Sequence, residues 1–185
     1  MAIFIPSLYD SRVKSSYSLH RQDCFRTNRL KHTIMSNIYK VSEVKIIYHP
    51  KVKASERLRV YSSADVYKLL IDNFYDKDTI EHKESFKVVL LNQANKVLGV
   101  TSISEGGISE TTADIRIILQ AAILSNASGI ILSHNHPSGN IQPSVDDKAL
   151  TQRIKEAANI MRISLLDHLI VSNETYYSFT DEGLI

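Results

Sequence analysis

His134 and His136, with Ser144 and Asp147 close behind them, are the side chains of this 185-residue chain whose types and spacing could do chemistry. Two imidazoles and one carboxylate are donors that zinc (Zn2+) takes at a catalytic site, where three protein ligands leave a fourth position to water. Histidines two apart on an extended backbone project to the same side, because strand side chains repeat every second residue. His134 and His136 can therefore grip one ion while Asn135 points away. Pro137 enforces the extension by pushing His136 out of the helical region. Pro137, Ser138, Gly139 and Asn140 are turn formers in series, and Pro143 followed by Ser144 reads as the entry to a helix from about Val145 to Met161. Asp147 then sits one turn in, where a carboxylate complements the positive end of the helix dipole. The same Ser-x-x-Asp spacing is also an ordinary capping arrangement, so two roles compete for one pair of residues.

The elements that must position these groups can be read from periodicity. A strand is expected at about Glu43 to Tyr48, then a linker rich in Lys and Arg, then a helix capped by Ser62 or Ser63 and running through Phe74. Val66, Leu69, Leu70 and Phe74 would share its apolar face. Phe86 to Leu91 and Val97 to Ile103, joined by the polar Asn92 to Lys96 connection, read as a hairpin. Thr111 or Thr112 would cap a helix through about Ser125, whose dense run Ile115 to Leu124 suggests burial on most sides. Ile130 to Ser133 is a buried strand that leads straight into the two histidines. The helix after Ser144 would turn Val145, Ala149, Ile154, Ala158 and Met161 towards the core, with Leu165 to Val171 and Tyr176 to Phe179 closing the sheet. Strand pairs with short turns, interrupted by long helices, indicate an α/β or α+β sandwich around a mixed, mostly antiparallel sheet.

Composition narrows the function classes. No apolar run approaches the roughly 18 residues needed to cross a bilayer, and charges at Asp10, Arg12 and Lys14 interrupt a signal-peptide pattern, so a soluble cytoplasmic protein is expected. Cys24 is the only cysteine, which removes an internal disulfide and a cysteine-rich zinc ribbon from consideration. Residues 1–34 hold six Lys or Arg against two Asp and read as a flexible basic extension, followed by a strand and linker over 35–62 and the main domain over 63–185. The whole chain carries +2, so residues 35–185 carry a net −2, the wrong sign for an electrostatic footprint on nucleic acid. Lys51, Lys53, Arg57 and Arg59 read as a solvated face rather than a phosphate-binding patch.

The pattern His-x-His, seven residues, Ser, two residues, Asp resembles the JAMM (MPN-plus, or JAB) metalloproteases. HNHPSGN followed by QPSVDDKALT, and the later LLDHLIVSNETYYSFTDEGLI, look like the RadC branch of that superfamily, over about Val41 to Ile185. The resemblance implies an MPN/JAB fold of the cytidine-deaminase-like type, zinc as cofactor, a peptide or protein substrate cleaved at an amide bond, and an association with DNA repair inherited from the RadC name. It also implies an upstream glutamate as general base. Glu84, directly before the Phe86 to Leu91 strand, is the best candidate, with Glu81, Glu105 and Glu110 as rivals that spacing leaves open. Ser144 takes the family's oxyanion-stabilising role. RadC proteins usually carry a further amino-terminal region with helix-hairpin-helix character, and no such signs stand before Val41.

One departure bears on activity. Many RadC sequences open the central helix with Pro-Arg-Glu, whereas this chain reads Asp114, Ile115, Arg116, Ile117. If that glutamate were the family's base, the chain would be a non-catalytic, metal-stabilised interaction module in DNA repair or mobile-element biology. Asp167 and His168 form a second carboxylate–imidazole pair. A structural, buried role is favoured for it over one orienting a metal ligand through its second ring nitrogen.

Overall fold

The computed structural model describes residues 51–106 and 113–185. The expected strand at 43–48, the extension over 1–34, and Glu110, Thr111 and Thr112 lie outside the described residues. The elements are α1 (Ser63–Asn73), β1 (Ser85–Leu91), β2 (Val97–Glu105), α2 (Ile115–Leu124), β3 (Gly129–Asn135), α3 (Val145–Ile160), β4 (Ser164–Val171) and β5 (Tyr176–Ser178). One sheet runs in the order β2-β1-β3-β4-β5. Its pairings are antiparallel except for β3 with β4, which are parallel because α3 carries the chain back across the sheet between them.

Alternation along the strands divides the core in two. Phe86, Val88, Leu90, Ile130 and Leu132 pack with Ile118 and Ala122 of α2 and Ile154 and Ala158 of α3. Val89, Leu91, Ile131, Leu169 and Val171 pack with Val66 and Leu70 of α1, and with Tyr75 and Ile80 beyond it. The sheet is thus covered on both faces, which is why β1 and β3 are buried along their whole length and read as continuous apolar runs. Each large apolar side chain so buried contributes about 1.5–3 kcal/mol before entropy is counted.

Local chemistry sets the boundaries. Ser62 caps α1 through a reciprocal box with Asp65: the Ser62 hydroxyl accepts from the Asp65 N–H (3.2 Å), and the Asp65 carboxylate accepts from the Ser62 N–H (3.1 Å). Between β1 and β2 the Asn92 side chain accepts from the Ala94 and Lys96 N–H groups, and Asn95 takes the left-handed conformation (φ 54°) that asparagine tolerates.

Three sequence expectations are corrected. The helix at α2 begins at Ile115 with Asp114 as its cap, accepting from the Arg116 N–H (2.9 Å), so the cap is neither Thr111 nor Thr112. It is also not buried on most sides. Ile117, Ile123 and Leu124 are 45, 42 and 53% exposed, since a helix in an outer layer has only one face against the sheet. In α3 the buried stripe is Thr151, Ile154 and Ala158, while Val145, Ala149 and Met161 are exposed. Asp147 and Thr151 occupy the inward positions of the first two turns, at helical spacing with Ile154 and Ala158. Polar residues therefore lead that face, and apolar pattern alone misplaced its start.

Candidate metal centre

β3 delivers His134 at the carboxyl end of a central strand, in register with Phe86 of β1 and Ile170 of β4. Its ring lies parallel to that of Phe86 at 5.9 Å between centroids and is almost fully buried. His136 follows on the same side, where the chain leaves the sheet and turns. The Gly139 N–H donates to the His136 carbonyl (2.9 Å), with Gly139 at φ 74°, a conformation that suits a residue without Cβ. That turn brings the Asn140 carbonyl to 2.6 Å from His136 Nδ1. Because a carbonyl only accepts, His136 Nδ1 must carry a proton, which makes Nε2 the nitrogen that a metal could use.

The three expected donors converge. His134 Nε2 lies 3.0 Å from His136 Nε2 and 3.1 Å from Asp147 Oδ1, and His136 Nε2 lies 3.5 Å from Asp147 Oδ2. Donors on a tetrahedral ion at bonds near 2.0–2.1 Å stand about 3.3 Å apart, so these spacings fit one face of such a tetrahedron. Among the described residues this is the group of His, Cys, Asp and Glu side chains that could hold a metal ion. The charges are matched too. Burial pushes Asp147 up, yet its hydrogen bonds with His134 and His136, the His134 charge and the Ser144 hydroxyl outweigh this and hold the carboxyl well below its usual range. The hydrogen bond with Asp147 raises His136 against a smaller effect of burial, helped by the Asn140 carbonyl and by the charges of Asp147 and Glu84.

Ser144 and Asp147 form the capping box while Asp147 stays beside both imidazoles. Ser144 is the N-cap of α3 and accepts from the Asp147 N–H (3.0 Å), while the Asp147 carboxylate accepts from the Ser144 N–H (2.7 Å) and hydroxyl (2.6 Å). The bonds from Ser144 fall on Oδ2, and Oδ1 is the oxygen nearer His134. Capping therefore orients the carboxylate instead of competing with ligation.

Glu84 stands directly before β1, where its carbonyl accepts from the Gly106 N–H (3.0 Å). The Phe86–His134 pairing brings the start of β1 and the end of β3 to one edge of the sheet, and the charge of Glu84 acts on His136. Of its described rivals, Glu81 accepts from Asn173 Nδ2 (2.8 Å), and Glu105 pairs with Lys83 (3.1 Å).

The buried role expected for Asp167 and His168 is observed, and sequence reasoning left two further residues without a role. Asp167 and His168 point to opposite faces, as adjacent strand residues must. Asp167 accepts from the His168 N–H, the Ser178 hydroxyl and the Thr180 N–H at 2.7, 2.7 and 3.0 Å, tying β5 and the chain after it to β4. His168 turns to the other side, fully buried against Phe179 (4.7 Å, stacked), with Nε2 2.8 Å from His134 Nδ1. Burial, with His134 close by, drives its pKa well down. Thr151 completes the contact, its hydroxyl 2.6 Å from His168 Nδ1, and the signal for it was its place four residues after Asp147 on the same helical face. Asn135, unassigned from sequence, is wholly buried on the α1 side and anchors the segment before β1.

Comparison with known proteins agrees with this architecture. A family model described as the RadC-like JAB domain matches residues 60–184. A UPF0758 protein of Porphyromonas gingivalis is 48% identical over 104 residues, covering 56% of this chain and 46% of that protein. One of Flavobacterium johnsoniae is 46% identical over 101 residues, covering 55% and 44%. One of Caldanaerobacter subterraneus is 33% identical over 189 residues, covering 94% and 79%. The chain thus spans about half the length of the first two relatives. Because the matched residues take in all five strands as well as the converging donors, the chain belongs to the RadC-like JAB domain family.

Proposed function

We propose that this chain is a zinc-dependent hydrolase acting on a peptide or isopeptide-like amide, with His134, His136 and Asp147 holding the ion. The observation that carries the reading is the convergence of one carboxylate and two imidazoles at 3.0, 3.1 and 3.5 Å, with both Nδ1 atoms turned to other partners. When bound, zinc supplies Lewis-acid activation of water near neutral pH. Amide hydrolysis also needs a group that accepts a proton from the attacking water and returns one to the leaving nitrogen. Glu84 is assigned that work, because it stands directly before β1 and its charge acts on His136. Ser144 stabilises the developing oxyanion by redirecting the hydroxyl that now donates to Asp147.

A groove of about 560 Å³ lined by Ile141, Gln142, Tyr176, Tyr177, Asp181 and Glu182 adjoins the turn that holds His136. Among the described residues no helix is long and apolar enough to cross a membrane. Lys51, Lys53 and Arg59 are exposed, with Lys53 near Glu56 (3.9 Å) and Arg59 over the Tyr61 ring.

The test is metal analysis of the purified protein together with Glu84→Gln. Zinc near one equivalent in both proteins, with cleavage of a responsive peptide lost only in the variant, is the expected result. Cleavage unchanged in Glu84→Gln rejects the base assignment. The alternative, a non-catalytic metal-stabilised module in DNA repair, is motivated by the opening of α2, where Asp114 caps the helix and binds Arg116 (2.6 Å) and the first turn holds no acidic residue. Salt-sensitive DNA binding that survives zinc removal would favour that reading.

A further inference from the structure

We infer that Thr151 and His168 set the tautomer of His134, so that a backbone carbonyl of α3 decides which nitrogen of His134 faces the ion. The direction of each hydrogen bond follows from counting protons. Thr151 has one hydroxyl proton and two close neighbours, the Asp147 carbonyl at 2.6 Å and His168 Nδ1 at 2.6 Å. The carbonyl has no proton to give, so it takes the hydroxyl proton, in the back-bond that a helical threonine makes to the residue four before it. The Thr151 oxygen is then left to accept, and His168 Nδ1 must be the N–H that donates to it.

A neutral imidazole with its proton on Nδ1 presents a bare Nε2. That atom lies 2.8 Å from His134 Nδ1, which must therefore donate, so Nε2 is the His134 nitrogen that turns to Asp147 and is open to an ion. The path closes on itself. It leaves the Asp147 carbonyl, passes through Thr151, His168 and His134, and returns to the Asp147 carboxylate 3.1 Å from His134 Nε2. His168 and Thr151 are 0 and 3% exposed, so water has little access to either. The first turn of α3 thus supplies a donor to the ion and also fixes the form of a second donor carried on β3. Thr151 and His168 are positioning residues in this scheme, and their effect on zinc rests on the metal reading above, whereas the proton order does not.

The experiment uses the 185-residue chain, 15N-labelled and freed of metal with a chelator, and reads the histidine tautomers from long-range proton–nitrogen correlations. His134 and His168 are expected to carry their protons on Nδ1. Thr151→Val should lower zinc affinity about 10–100-fold, measured by competition with a chromophoric chelator, and should release a fraction of His134 to the Nε2–H form. Thr151→Ser, which keeps the hydroxyl, should restore both. A proton on Nε2 of His168, or a bare Nδ1 on His134, in the unaltered protein overturns the inference, as does a folded Thr151→Val with unchanged affinity and tautomers. If Thr151→Val does not fold, the spectrum of the unaltered protein decides. A chain that shows the stated tautomers but binds no zinc rejects the metal reading and leaves the relay standing. Zinc binding with the opposite tautomers rejects the relay alone.

Discussion

The Asn135 carboxamide oxygen accepts both the backbone N–H (2.9 Å) and the hydroxyl (3.0 Å) of Ser85, the residue that follows Glu84. Its nitrogen donates to the carbonyls of Ile80 (2.6 Å) and Lys83 (2.9 Å). The residue between the two histidines thus clamps, from the opposite face of the sheet, the segment that presents Glu84. Asn135→Ala would strip partners from several buried backbone groups, at a cost of about 3 kcal/mol. Urea unfolding of the metal-free variant should show that loss, and turnover should fall while zinc stays near one equivalent. Stability within error of the unaltered protein would remove the clamp from this account.

Ser144 and Asp147 can be separated by substitution although they share one capping box. Ser144→Ala removes a cap, which is worth about 1 kcal/mol, and should leave zinc bound. If its hydroxyl serves the oxyanion, turnover should fall by about 10²–10³-fold. Asp147→Ala loses the opposite half of the same box and should also abolish stoichiometric zinc. A variant at Asp147 that retained a full equivalent, measured by emission spectrometry after gel filtration, would reduce that residue to a cap.

How much was legible in the sequence follows from where the forces are local. His134, His136 and Asp147 were readable because strand alternation, a proline and a helix start each act over a few residues, and the structure brings the three together. The sheet was readable because β1 and β3 are buried on both faces and so appear as uninterrupted apolar runs. His168 and Thr151 were not, since the contact joins residues 34 apart across a parallel strand pair and a further 17 back to the crossover helix. The role of Asn135 was hidden likewise: alternation says that it points away from the ion, but the 50 residues to Ser85 are closed only by the sheet.

The face of α3 is the place where apolar pattern and structure disagree, and it gives a direct stability test. Ile154 is fully buried against the sheet, whereas Val145 is 82% exposed. Ile154→Ala should cost about 2–5 kcal/mol through lost burial and the cavity left behind. Val145→Ser should stay within about 0.5 kcal/mol, as surface changes usually do. Comparable losses at both positions in chemical denaturation would mean that the helix is rotated from the frame described above.

Protons and zinc compete for the same His136 nitrogen, which fixes the sign of a pH effect. His136 is raised above its ordinary 6.5 by Asp147, so in metal-free protein its contribution to stability is complete below 6.5 and is lost as pH climbs through the raised value. Zinc requires the unprotonated imidazole, so its binding strengthens as that proton leaves. The two trends oppose each other. Melting temperatures taken on zinc-loaded and chelator-treated samples of one preparation, at fixed total zinc, should therefore diverge as pH rises from about 6 to 8. Groups that titrate alike in both samples cancel in this difference. A gap that stayed constant over the range would mean that no imidazole proton is displaced on loading, which is incompatible with His136 as a ligand.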